Sequence, residues 1–287
     1  MKHSVKITLA IVLLFLAAQF VGLFIVNHYV DQAKSAETGQ IEYSSLPFGF
    51  ERPDIPQGQS FIYILIGVLV GTAVFLVLIR LKKVSLWKAW FFLSVCICMT
   101  FAFAAFIGEQ LALALAVALG AIKVFRPNMI VHNLTEIFIY GGLAAIFVPI
   151  MNLPAAILLL LLISVYDIYA VWKSKHMVAL AEFQASSKVF AGIFIQGQAP
   201  KPSKRHKVPM PAQNAVLGGG DIAFPLLFTG VVMKQVGFPN VGIISLFASA
   251  ALLFLLWKAE KGKFYPAMPF ITAGCLLGFG IVLLLGF

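Results

Sequence analysis

Two aspartates lie inside long apolar stretches of this sequence. Asp167 occurs in LLISVYDIYAVW, residues 161–172, and Asp221 follows three glycines in VLGGGDIAFP, residues 216–225. Two carboxyl groups that are close together at low dielectric cannot both ionise cheaply, so such a pair shares one proton. The ionised member can take a proton from water while the protonated member polarises a carbonyl group, which suits hydrolysis of a peptide bond. This chemistry needs no metal and no cofactor, and we expect neither.

The chain around these aspartates is too apolar for a soluble domain. Of its 287 residues, 61% are hydrophobic and 11% are charged, and the mean hydropathy is +0.97. Runs of about 20 apolar residues are long enough to cross a hydrocarbon core of about 30 Å. Helix is the element expected there, because lipid cannot satisfy open backbone groups. We therefore predict an all-α, polytopic protein of the lipid bilayer, with residues 1–287 forming a single membrane domain.

The apolar runs predict six N-terminal spans over about residues 6–172, a cytoplasmic loop over 173–212 and three C-terminal spans over about 213–286. In the loop, HMVALAEFQASSKVFAGIFI is mildly amphipathic and predicts an extension of the sixth helix along the membrane surface. The following APKPSKRHKVPMP is rich in Pro and Lys, as is typical of a flexible tether. The nine predicted spans cover residues 6–29, 61–81, 86–107, 109–125, 130–151, 154–172, 213–235, 241–257 and 265–286.

The basic residues predict the orientation of these spans. The net charge is +10, and with the N-terminus inside, all but three of the 21 lysines and arginines fall on the cytoplasmic side. The exceptions are Lys34, Arg52 and Lys234. This is the positive-inside bias, and it predicts a cytoplasmic N-terminus and an outside C-terminus. Because topology explains the charge, we expect no nucleic-acid partner. A signal peptide is the alternative for the first span, but its apolar run is longer than a usual signal core and no small-x-small cleavage site follows.

The positions of the two aspartates predict that they face each other. Asp167 precedes Trp172 by five residues, which places it about 8 Å below the cytoplasmic boundary at the rise of a helix. Asp221 follows Asn214 by seven residues, or about 10 Å below the same boundary if that segment is helical. Consecutive spans joined by one loop can be neighbours, so the two carboxyl groups are expected at one level.

Glycines and prolines near these levels predict irregular backbone. The three glycines before Asp221 weaken helix and let another backbone come close. In FYPAMPFI, Pro266 and Pro269 disfavour regular helix at the start of the ninth span. Irregular backbone is tolerated at membrane depth only where it is buried in protein or lines a cavity. We expect its free amides and carbonyls to pair with an extended substrate strand.

Three short motifs around these residues resemble those of a known protease family. They are similar to the YD, GxGD and PAL motifs of the presenilin and signal-peptide-peptidase intramembrane aspartyl proteases, and they occur in the family's order on spans six, seven and nine. The motifs are Tyr166-Asp167, Gly218-Gly219-Gly220-Asp221 and Pro266-Ala267-Met268. The resemblance implies that Asp167 and Asp221 are the catalytic pair. It also implies that the remaining motif residues bind substrate or shape the site: Tyr166, Gly218, Gly219, Gly220, Pro266, Ala267 and Met268.

The resemblance also implies the class of substrate, the membrane topology and the cellular location. Substrates would be transmembrane helical proteins or peptides, cut after local unwinding, and the N-in topology is similar to presenilin rather than to the inverted signal peptide peptidases. The compact chain resembles a microbial member, an integral protein of the cell membrane that needs no obligatory partner subunits; a homo-oligomer is compatible with this. Gly219 departs from the Leu that presenilins usually carry, and Met268 replaces the Leu of PAL, a volume-conserving change. The loop is also shorter than that of presenilin, which argues against self-cleavage.

Other functions stay open for the same residues. An ionisable group at membrane depth is a functional candidate by default, and Glu136 is the third acid within a predicted span. The three acids could form the relay of a proton- or cation-coupled transporter or channel, which predicts symmetric halves; the six-plus-three division and the lack of a sequence repeat argue against it. A helix-binding protein without proteolytic activity is a third hypothesis. Asp167 taken alone could be a structural helix–helix hydrogen bond, and Tyr166 a packing residue.

Two further patterns favour structural roles. His132 and Glu136 share a helix face at i, i+4 and indicate a polar pair near the inner interface, with a metal site as the alternative. The sequence lacks the HExxH motif of zinc proteases, and it shows no serine–histidine set of the kind that a rhomboid protease needs. The small-xxx-small spacing of two glycine pairs predicts close helix packing, with a lipid or substrate groove as the alternative. The pairs are Gly67 and Gly71, and Gly274 and Gly278.

Overall fold

In the computed structural model of the chain, each predicted span contains a helix. The structure describes residues 4–81, 83–174, 180, 183–184, 189–196, 215–238, 240–260 and 263–286. The helices are α1 (Val5–His28), α2 (Gln32–Thr38), α3 (Ser60–Arg80), α4 (Val84–Ala104), α5 (Glu109–Phe125), α6 (Met129–Phe147), α7 (Leu153–Ile168), α8 (Gly219–Val236), α9 (Gly242–Lys258) and α10 (Met268–Leu284). Short 3₁₀ turns at Pro47–Gly49 and Gln57–Gln59 lie in the loop before α3, and a π-helical turn, Tyr169–Lys173, extends α7.

Five of the described helices are long and apolar enough to cross a membrane. They are α1, α3 with its preceding turn, α4, α6, and α7 with its π-helical turn. α9 and α10 are apolar but have 17 residues each, at the lower limit for a span. The prediction of an all-α fold with several membrane helices is thus confirmed. The nine crossings and their orientation stay predictions.

The helices pack around α1, which contacts α6, α8 and α9. Its buried face includes Phe15 and Leu23, both fully shielded. α9 and α10 form a close antiparallel pair, because Gly274 and Gly278 leave room for the facing backbone: a Cβ at Gly278 would lie 2.8 Å from the Cα of Ile244. The close packing predicted for this glycine pair is confirmed.

The other glycine pair, Gly67 and Gly71, does not pack in this way. No described atom lies within 4 Å of a Cβ built at either position. The reason is that α3 is peripheral: only 11% of its span is buried, against 44% for each of the four other long apolar helices. The prediction of close helix packing at Gly67 and Gly71 is wrong for the chain as folded here.

A two-stranded antiparallel sheet replaces helix in two predicted segments. β1 (Gly192–Ile195) pairs with β2 (Ala215–Gly218), with Gly192 opposite Gly218 and Ile195 opposite Ala215. Residues 192–195 were expected in a surface helix, and the seventh span was expected to be helical from residue 213; both expectations are wrong. Along β2, Leu217 is buried while its neighbour Val216 is 46% exposed, the two-residue period of a strand. The predicted tether, residues 199–211, lies outside the described residues.

Candidate active site

Asp167 lies in the last turn of α7, beside the start of α10. Its side chain is 8% exposed. Oδ2 accepts a hydrogen bond from the backbone N–H of Met268 at 3.1 Å. The first N–H groups of a helix have no acceptor within the helix, and they form its positive end. Asp167 therefore supplies from α7 the acceptor that the start of α10 lacks.

The segment around Pro266 is buried, and one of its backbone N–H groups already bonds to another part of the protein. Pro266, Ala267 and Met268 are all buried. Pro266 has no backbone donor, and the N–H of Met268 is taken by Asp167. The expectation that the free amides of this segment pair with a substrate strand is therefore wrong for Met268. Instead, the Met268 amide orients an aspartate.

Asp221 is the third residue of α8 and is partly exposed. Gly218 is the N-cap of this helix, and a Cβ added to Gly218 would lie 3.2 Å from Oδ2 of Asp221. The estimate of its depth assumed a helix from Asn214. Since residues 215–218 are extended, with a rise of about 3.3 Å per residue, that estimate does not hold. Asp221 lies at a helix start rather than mid-span.

The fold brings the two aspartates into one region. α7, α8 and α10 pack against one another, and Asp167 and Asp221 lie near enough for their carboxyl groups to interact. The Asp167 carboxyl group bonds to the Met268 amide at the beginning of α10, and the Asp221 carboxyl group lies beside Gly218 at the beginning of α8. Two carboxyl groups held in this way can bind a water molecule and exchange a proton with it.

The glycines before Asp221 contact other parts of the protein. The N–H of Gly219 donates to the carbonyl of Ala191 at 3.1 Å. A Cβ at Gly219 would lie 2.7 Å from the Tyr140 hydroxyl oxygen. The glycines were expected to let another backbone come close, and the groups that do so are the Tyr140 hydroxyl and the Ala191 carbonyl of the same chain. Gly220, by contrast, is exposed.

Tyr166 points toward α3. Its hydroxyl donates to Oγ1 of Thr72 at 3.5 Å, and its side chain is partly buried. This contact ties α7 to the peripheral helix α3 next to Asp167.

Sequence reasoning missed a hydroxyl pair beside the site. The hydroxyls of Ser164 on α7 and Thr272 on α10 are 2.7 Å apart and buried. Ser164 precedes Asp167 by three residues, and Thr272 follows Met268 by four. The sequence did contain a signal for this hydroxyl pair. Each residue is a small polar residue within an apolar helix and lies about one helical turn from a motif residue.

Sequence reasoning also misjudged Lys123, which was counted among the lysines of the cytoplasmic interface. Lys123 is 2% exposed and forms an ion pair with Glu136 at 2.7 Å. His132 and Glu136 do lie one turn apart on α6, as predicted. The Lys123 ammonium group lies between their side chains, 3.1 Å from Nδ1 of His132. Within the described part of the chain, no group of three or more His, Cys, Asp or Glu side chains could hold a metal ion.

Comparisons with known proteins agree with these motifs. Residues 21–286 match the family described as signal-peptide peptidase, presenilin aspartyl protease. The fold is similar to a presenilin family intramembrane aspartate protease solved in space group P2, with a TM-score of 0.65 and 20% identity, over 97% of this chain and 98% of that one. The structure in space group C222 gives a TM-score of 0.63 and 19% identity, over 97% and 99%. A sequence search of curated proteins gives no match.

Proposed function

The chain belongs to the signal-peptide peptidase and presenilin aspartyl protease family, and from this premise we propose that it hydrolyses peptide bonds within the transmembrane helices of other membrane proteins. It is an integral membrane protein with the fold of an intramembrane aspartate protease. In the proposal it is a GxGD-type aspartic endopeptidase whose catalytic residues are Asp167 and Asp221.

One observation carries the proposal. Three motifs that are far apart in sequence meet in one region, where the Asp167 carboxyl group accepts the Met268 amide and Asp221 begins the neighbouring helix α8. A structural role for Asp167 alone would explain its bond to α10. It would not explain a second carboxyl group in the same apolar region, because an additional ionisable group at membrane depth is costly and needs a reason.

The proposed reaction uses a water molecule between the two carboxyl groups. One aspartate, ionised, accepts a proton from water as the oxygen attacks the scissile carbonyl carbon. The other, protonated, donates a hydrogen bond to the carbonyl oxygen and stabilises the tetrahedral intermediate. The proton taken from water then passes to the leaving nitrogen, the C–N bond breaks, and an amine and a carboxylic acid are released. The Met268 amide at the start of α10 holds the Asp167 carboxyl group in place.

The charge distribution supports the proposed orientation, and the compact chain supports the rest of the proposed setting. The chain crosses the membrane nine times, with the N-terminus in the cytoplasm and the C-terminus outside, in the cell membrane of a microbe. Substrate helices enter laterally and unwind near the cytoplasmic face, where Asp167 lies one turn before the exposed Trp172. The protein acts without obligatory partner subunits, and this mechanism is compatible with a homo-oligomer.

Cleavage in vesicles tests this function. The purified protein is reconstituted into lipid vesicles together with a single-span test helix, and the products are identified by mass spectrometry. We expect two fragments whose new ends lie within the span, and no fragments in vesicles that hold the test helix alone. Intact helices across a panel of test sequences, together with proton-coupled movement of solutes into the vesicles, would instead support the transporter.

A further inference from the structure

The buried ion pair between Lys123 on α5 and Glu136 on α6 has no part in the reaction above. Nζ and Oε1 are 2.7 Å apart, and both side chains are almost completely shielded. Removing two charges from water costs so much that apolar residues in their place are often as stabilising or more so. Stability alone is therefore a poor explanation for this pair, and its other contacts indicate a second role.

Glu136 and its neighbours on α6 bind one edge of β1. Oε2 of Glu136 accepts the N–H of Gly192 at 3.0 Å, and Nε2 of His132 lies 2.8 Å from the carbonyl oxygen of the same residue. Asn133 binds Phe194 in the same way, with its amide donating to the carbonyl at 2.8 Å and accepting from the N–H at 3.0 Å. Side chains of a helix thus take the place of a neighbouring strand along this edge.

The bonds of Lys123 assign the state of His132. A lysine ammonium group can only donate, so Nδ1 of His132 accepts from it at 3.1 Å. The carbonyl of Gly192 can only accept, so Nε2 carries the proton and donates. His132 is therefore the neutral Nε2–H tautomer, and every group in this cluster has a complementary partner.

Gly192 is the point at which α6 reaches the strand. Its φ of +137° is one that L side chains rarely adopt, and an added Cβ would collide with the carbonyl oxygen of Leu217 on β2. A glycine here lets β1 lie between the Glu136 carboxylate and β2. The position of Gly192 is thereby fixed from both sides.

Two contacts lead from this cluster to Asp221. Gly192 pairs with Gly218, the cap of α8, and the adjacent Ala191 accepts the N–H of Gly219 at 3.1 Å. Glu136 also accepts a short hydrogen bond from Tyr140, whose hydroxyl lies against Gly219. One carboxylate therefore holds both the strand and the tyrosine that border the residues just before Asp221.

We propose that Glu136, neutralised by Lys123, is a positioning residue of the active site that fixes β1 and, through it, the backbone from Gly218 to Asp221. The inference rests on the proposed function, because its purpose is to hold Asp221. Glu136 acts as a hydrogen-bond acceptor at the edge of β1, not as a proton carrier. Lys123 makes this acceptor tolerable at membrane depth.

Two charge-free double variants of similar volume separate this role from others. Lys123→Met/Glu136→Gln keeps a carbonyl oxygen that can accept the Gly192 N–H. Lys123→Met/Glu136→Leu removes that acceptor while leaving no unpaired charge. Ser249→Ala is the control, since the Ser249 hydroxyl is buried and bonds only within α9, to the carbonyl of Ser245.

The variants are compared by cleavage kinetics per folded enzyme and by hydrogen exchange of residues 189–196 and 215–222. We expect the Gln variant to keep kcat within about threefold of the parent, and the Leu variant to lose about 10- to 100-fold in kcat at unchanged KM, as a small displacement of a catalytic group does. Hydrogen exchange in both segments should be faster in the Leu variant than in the Gln variant. Ser249→Ala should match the parent in both measurements.

Several results would overturn the inference. Equal kcat and equal exchange in the two double variants would show that the acceptor at Gly192 positions nothing. Loss of activity in both, with normal folding, would mean that the charge of Glu136 itself takes part in the reaction. If the parent cleaves no helix, the proposed function fails instead, and the exchange comparison alone decides: faster exchange at 215–222 in the Leu variant supports the positioning role, and equal exchange contradicts it.

Discussion

At the scale of single residues, the structure gives a reason for glycine at position 219. Presenilins usually carry Leu here, but in this chain the Tyr140 hydroxyl and the Ala191 carbonyl occupy the space that a side chain needs. Tyr140 is in turn held by Glu136. The small residue and the polar cluster on α6 therefore belong together, and the identity of residue 219 need not reflect substrate selection.

Gly219→Ala tests this steric account. In an open position at the start of a helix, Gly→Ala stabilises a protein by about 0.4–1 kcal/mol. Here we expect a loss of about 1–3 kcal/mol, because the new Cβ would be 2.7 Å from the Tyr140 oxygen. Thermal unfolding in detergent measures the change. The same substitution made in Tyr140→Phe, which lacks that oxygen, should cost clearly less, and additive effects of the two substitutions would contradict the account.

At the scale of elements, the register between α7 and α10 is set by a hydroxyl pair. Ser164 donates to the carbonyl of Leu160 in its own helix at 2.8 Å, so Thr272 is the donor in the 2.7 Å bond between the two hydroxyls. This bond lies one helical turn from the contact between Asp167 and the Met268 amide. Together the two bonds fix how far α10 can slide along α7.

Thr272→Val removes the donor without changing the shape of the side chain. We expect kcat for cleavage to fall about fivefold, since a buried hydrogen bond contributes about 1 kcal/mol, while KM stays the same. The matched control is Thr100→Val on α4, whose buried hydroxyl bonds only to the Cys96 carbonyl in its own helix. Equal kcat values for the Thr272 and Thr100 variants would show that the hydroxyl pair does not position Asp167.

The elements also show what the sequence could predict. Apolar length identified the helix in each predicted span, because lipid allows little else, but not the short polar helix α2. The sheet was missed because β1 and β2 have four residues each and lie in segments whose apolar residues also fit a helix. Tertiary contacts select the strand, because the side chains of Asn133 and Glu136 bind its edge. The two aspartates were singled out by their motifs, whereas the depth estimate for Asp221 failed because residues 215–218 form a strand. The partners of Lys123 could not be predicted, because they lie on another helix, α6, and no sequence pattern reports contacts between two helices.

At the scale of the whole molecule, the positive-inside bias is the basis for the proposed orientation. It separates Lys34, in the short helix α2, from Lys83, between α3 and α4. Both are exposed, so both can report on sidedness. Of the three natural cysteines, Cys96 and Cys275 are buried and Cys98 is partly buried, so the parent chain sets the background of thiol labelling.

Labelling of intact cells with a membrane-impermeant maleimide tests the orientation. Lys34→Cys should react in intact cells, and Lys83→Cys should react only after lysis. The parent chain serves as the control for background labelling. The reverse pattern would contradict a cytoplasmic N-terminus and would place the two aspartates near the outer face.

The most direct test of the catalytic pair is cleavage of the reconstituted test helix by Asp167→Asn and Asp221→Asn. Asn has nearly the same shape but can neither carry the charge nor exchange the proton. We expect each variant to lose at least about a hundredfold in rate, while Asp54→Asn, in the exposed loop before α3, cleaves like the parent. Full activity in either of the first two variants would contradict the mechanism.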